Sequence, residues 1–169
     1  MDLLQVVLRV IHIGSAIVWV GSSAFLHFFI EPTVKELGPP GGSFMKHMVE
    51  KRKVPVVISA AGVLTVAAGI ILYLRDSDGL NVDWITTAPG LALTIGGISA
   101  ILAFVLGVGF VRPRVVRLGK LGSEMASGQP SQQQVQEMGA LQGRLHRLSV
   151  INLFLLGIAV VTMASARYL

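Results

Sequence analysis

The chain has 169 residues, 53% of them hydrophobic and 14% charged, with a mean hydropathy of +0.71. That balance is the profile of an integral membrane protein and excludes an ordinary soluble domain. The net charge of +5 comes from basic residues between apolar runs, where membrane topology accounts for them without nucleic acid as a partner. The absence of cysteine excludes disulfides, thiolate metal sites, iron–sulfur clusters and cysteine nucleophiles.

From the N-terminus, "MDLLQVVLRV" has an acid at position two and no basic leader region, so the first apolar run reads as a retained span and not as a signal peptide. That run, 10–30, is uncharged yet holds His12 near one end and His27 near the other. His12, Ser15, Trp19 and Ser22 recur at three-and-four spacing and make a polar stripe that should face the bundle, because lipid-facing polar side chains are penalised. His27 is displaced by about 60° from His12 in a regular helix, and the two rings lie about 22 Å apart along it. They cannot share one small ligand. Trp19, at mid-depth, has two readings: a large core residue, or a wall stacked on a planar cofactor.

Three further uncharged stretches, 54–74, 84–111 and 148–166, approach or exceed the roughly 20 residues that a spanning helix needs. The expectation is an all-α, four-helix transmembrane bundle forming one domain over 1–169, with loops at 31–53 and 112–147. These two loops carry Lys35, Lys46, Lys51, Arg52 and Lys53, and Arg112, Arg114, Arg117, Lys120, Arg144 and Arg147. The connection "RDSDGLNVD" has one Arg75 against three aspartates. The positive-inside bias therefore predicts cytoplasmic basic loops and both termini outside, with Tyr73, Trp84 and Tyr168 as interface aromatics; a bacterial plasma membrane is the expected location. His27 and His146 then fall at the same, cytoplasmic, depth.

The first loop contains "SFMKHMVEKRKV", which sets Phe44, Met45, Met48 and Val49 on one helical face and His47 on the polar one, as in a short interfacial helix. In span two, Ala60, Ala61, Ala67, Ala68 and Gly69 suit close helix packing, as do Gly96, Ser99, Ala100, Ala103 and Gly107 in span three. "SQQQ" offers Ser131 as an N-cap with Gln134 three residues on, so span four is expected to start as an extramembrane helix that runs into the bilayer. There "HRLSVIN" spaces His146, Ser149 and Asn152 three apart. Ser149 and Asn152 are candidate helix–helix contacts, Asn152 alternatively a ligand residue.

An internal repeat links the ends of spans one and three, "FFIEPTVKELG" and "GFVRPRVVRLG". At a constant offset, Phe29, Pro32, Val34, Leu37 and Gly38 match Phe110, Pro113, Val115, Leu118 and Gly119. Two tandem helical hairpins related by an axis along the membrane normal are the expected consequence, with each proline read as a helix terminator.

"HIGSAIVWVG", "FFIEP" and "HRLSVINL" together resemble the copper-resistance D family and the related four-helix domain typified by transmembrane protein 205. The likeness spans the chain in outline and is specific only in those three motifs. It falls on His12, Trp19, Gly21, His146, Ser149 and Asn152, and implies copper handling. The "HIxxxxxW" pattern is similar to that of a four-helix, heme-associated protoporphyrinogen oxidase, which implies heme.

Three functions compete. The first is a heme b or transition-metal site, including copper, between spans one and four, with His27 and His146 as ligands and His12 and Trp19 as further cofactor contacts. The second is a non-catalytic accessory or scaffold subunit docked to other membrane proteins. The third is a small metal transporter, which the repeat favours. No complete catalytic constellation or nucleotide fingerprint is present, which leans against an enzyme and leaves the question open.

Overall fold

The computed structural model describes residues 2–126 and 128–169, and within them the chain is helical apart from its termini and short connections, without strands. The elements are α1 (Leu3–Phe25), α2 (Glu31–Leu37), α3 (Pro39–Glu50), α4 (Val54–Asp76), α5 (Val82–Ile85), α6 (Ala88–Leu106), α7 (Arg112–Ala126) and α8 (Gln132–Ser165). Four continuous helical stretches, Leu3–Leu37, Val54–Asp76, Ala88–Met125 and Gln132–Tyr168, are long and apolar enough to cross a membrane.

Local chemistry sets the boundaries. Asp2 caps α1 by accepting from the Gln5 N–H at 2.8 Å. Ser131 and Gln134 form a reciprocal capping box at the start of α8, as their spacing anticipates. The third apolar stretch is not one helix from its start. Residue Trp84 belongs to the separate turn α5, and α6 begins behind the Thr87 cap with Pro89 in its first turn. Gly38, at φ +61°, ends α2 in a conformation that other residues adopt at a cost.

The prolines of the repeat do not terminate their helices, contrary to the sequence expectation. Each is preceded by one π-helical turn, Leu26–Ile30 before Pro32 and Gly107–Val111 before Pro113, after which the helix continues. Proline has no N–H to donate to the carbonyl four residues back, and its ring crowds that carbonyl. A wider turn relieves both. The two turns match residue for residue: the Leu26 N–H meets the Ser22 and Ser23 carbonyls, and the Gly107 N–H meets those of Ala103 and Phe104.

Each helix that leads into a π turn packs along the long helix that follows it, α1 on α4 and α6 on α8. Each pair has a polar stitch and a glycine notch. In the first pair, His12 Nδ1 donates to the Thr65 carbonyl at 2.8 Å, and Gly69 makes room for the ring, since an added Cβ would lie 2.8 Å from His12 Cε1. In the second, Asn152 Nδ2 donates to the Ala103 carbonyl at 2.7 Å, and an added Cβ on Gly96 would lie 2.7 Å from Thr162 Oγ1. Where the four helices meet, each supplies one buried residue: Trp19, Ala61, Ala103 and Leu156. Three small or aliphatic side chains around one indole let the backbones approach closely.

The segments expected as loops are themselves largely helical. At about 1.5 Å per residue, the 34 residues of α8 span about 51 Å, well beyond a hydrocarbon layer of about 30 Å. The excess pairs with α7 through a bidentate contact from Arg117 to Glu137, at 2.8 and 3.0 Å. Helix α3 lies against α7 with Val49 over Gly119, its Met45 and Met48 half-buried and His47 exposed.

Candidate metal centre

At the end of the bundle that carries the basic segments, His27 and His146 come together. Their rings stack with centroids 5.2 Å apart and planes at 29°. Glu31 joins them. His27 Nδ1 lies 3.0 Å from Glu31 Oε2, and His146 Nδ1 lies 2.9 Å from Glu31 Oε1, so one carboxylate bridges imidazoles from the first and last spans. An ionised carboxylate only accepts, so in this arrangement each Nδ1 carries the hydrogen. Side-chain exposure rises from 11% at His27 through 32% at Glu31 to 59% at His146, which gives the cluster an enclosed side and an open one.

The π turn explains why Glu31 belongs to this group. In a regular helix, 19 residues at about 100° each would set Glu31 about 100° away from the face of His12. A turn closed by i→i+5 bonds takes about 4.4 residues, or about 82° each. Over five residues it removes about 90°, which returns Glu31 close to the His12 meridian and also draws His27 inward. Glu31 was absent from the sequence candidates because it was read only as the charge that ends the first span. The available signals were its i,i+4 spacing from His27 and the proline that follows it.

The other candidates lie elsewhere. His12 is engaged with Thr65 between α1 and α4. Trp19 is 5% exposed and meets Phe104 edge to face at 6.1 Å; a ring so enclosed has no open face to stack on a cofactor, and it serves as core. Asn152 is a buried cross-link from α8 to α6, and Ser149 is half-buried one turn inward of His146.

Two imidazoles and one carboxylate form a three-ligand set for zinc and for other first-row divalent ions, with a further position left for water or another ligand. Ligand atoms of a tetrahedral site stand about 3.3 Å apart. The two His-to-Glu spacings are already close to that, and all three groups place a ligand atom within 4.8 Å of the others. Among the described residues, His27, Glu31 and His146 are the one such group.

No family model, curated protein or solved structure matches this chain. The site therefore has to be read from its own geometry.

Proposed function

We propose that this is a membrane protein that binds a divalent transition-metal ion through His27, Glu31 and His146. The observation that carries the reading is the convergence of two imidazoles, from the first and last spans, on one carboxylate. On metal binding each imidazole moves its hydrogen to Nε2 and offers the Nδ1 lone pair, so the present hydrogen-bond acceptor becomes a fellow ligand. The positive-inside bias puts this site at the cytoplasmic face, with both termini outside. An N₂O donor set without sulfur suits Zn(II) or Cu(II) and is a poor match to Cu(I). Heme b fits less well, because rings stacked at 5.2 Å leave no space for a porphyrin between them.

Calorimetric titration of the purified protein with zinc yields one site per chain under this reading. Replacing His27 or His146 by alanine weakens it on the order of a hundredfold. No binding, or binding indifferent to both replacements, would overturn it.

A second reading has its own support, since both Glu31 oxygens are already satisfied by imidazole N–H groups. The trio is then a metal-independent polar clamp that fastens α8 to α2 in an accessory subunit. Under it, Glu31→Ala lowers the thermal midpoint of metal-free protein, and zinc leaves the wild-type midpoint unchanged.

A further inference from the structure

We infer that Pro32 is a positioning residue for the metal centre: it maintains the π turn Leu26–Ile30, which rotates His27 and Glu31 onto the face that meets His146. The inference rests on the metal-binding reading and adds a residue that is not itself a ligand. Three observations carry it. The π turn ends at Glu31, whose N–H bonds to the Leu26 carbonyl, so the ligand residue and the irregular backbone are one unit. His27 and Glu31 lie inside and immediately after that turn, and regular helical phase would separate Glu31 from the bundle face by about a quarter turn. Pro32 stands directly after Glu31, where its missing N–H leaves the Phe28 carbonyl without its regular partner.

The molecule contains its own control. Pro113 follows an equivalent π turn, Gly107–Val111, in the second half of the chain. There Val108 and Arg112 take the places of His27 and Glu31, so the second turn has the same backbone and no ligand. Loss of either proline perturbs one π turn of the same bundle, but only one of those turns presents metal-binding groups. A proline that serves stability alone makes the two replacements equivalent; a proline that aims ligands separates them.

The test compares Pro32→Ala and Pro113→Ala in the full chain, with zinc as probe. Expected is a loss of zinc affinity of about tenfold or more for Pro32→Ala, wild-type affinity for Pro113→Ala, and similar helical content and thermal midpoints for both. Equal affinity in Pro32→Ala and wild type overturns the inference, as does an equal loss in both variants. A metal-independent arm separates this from failure of the metal reading itself. The chain has no cysteine, so Glu31→Cys with His146→Cys can be bridged by a short bis-methanethiosulfonate reagent. Bridging that persists in the Pro32→Ala background refutes the positioning role even if wild-type protein binds no zinc. Bridging that is lost there, but kept with Pro113→Ala, upholds it.

Discussion

At the scale of single residues, polar atoms inside the bundle join helices. Asn152 exemplifies this: it is 6% exposed and its amide donates across to α6. Asn152→Leu keeps the volume and removes the donor, and should destabilise the protein by about 0.6 to 2 kcal/mol, measured by reversible unfolding in mixed detergent. Gly69 tests the other stitch. Gly69→Ala drives a methyl into the His12 ring, so the His12–Thr65 bond must lengthen, at a cost of about 1 to 3 kcal/mol, with the His12 imidazole resonances shifting in NMR. Gly62→Ala is a comparison at the central crossing, where the added Cβ meets Phe104 at 3.0 Å and the neighbouring rings must yield slightly.

At the scale of elements, the end of the first hairpin that carries the N-terminus is held by charge. Asp2 caps α1, and its carboxylate also accepts from Arg75 on α4 at 2.6 Å. The Gln5 N–H, followed by Arg75, holds the Asp2 carboxyl below the usual carboxylate range. A depressed folded-state value means that this group's contribution is present above the ordinary carboxylate pKa and is lost as pH falls through the folded one. With rates corrected for intrinsic base-catalysed exchange, the protection of amides in the first turn of α1 should therefore fall on acidification, and Asp2→Asn should abolish that fall.

The elements also show what regular periodicity can and cannot reveal. Uncharged length located the four spans, and the Ser131–Gln134 spacing located the start of α8, because both depend only on local sequence. The common level of His27 and His146 followed from span boundaries. Glu31 did not, because its direction depends on a backbone irregularity that removes nearly a quarter turn of helical phase. The same irregularity turned two expected terminators into mid-helix prolines. Trp19 was ambiguous for a different reason: only the three-dimensional meeting of Ala61, Ala103 and Leu156 decides that the indole is filled in from all sides.

At the scale of the whole molecule, two helix pairs, each with a π turn in its first helix, make a bundle whose basic end projects beyond the apolar layer and carries the His–Glu–His cluster. The repeated hairpins supply the frame, and the first of them supplies two of the three clustered side chains. Sidedness is directly measurable in a cysteine-free chain. An impermeant maleimide applied to intact cells should label Leu80→Cys, in the acidic connection, and leave Ser43→Cys, in the basic one, unlabelled until the cells are opened.

Zinc K-edge absorption fine structure of the zinc-loaded protein reads the ligands of the proposed His27–Glu31–His146 centre. Expected are nitrogen and oxygen neighbours at about 2.0 to 2.2 Å with the multiple scattering of two imidazole rings, lost in a His27→Ala, His146→Ala double variant. An all-oxygen shell without imidazole scattering, or a spectrum that the double variant leaves unchanged, would contradict it.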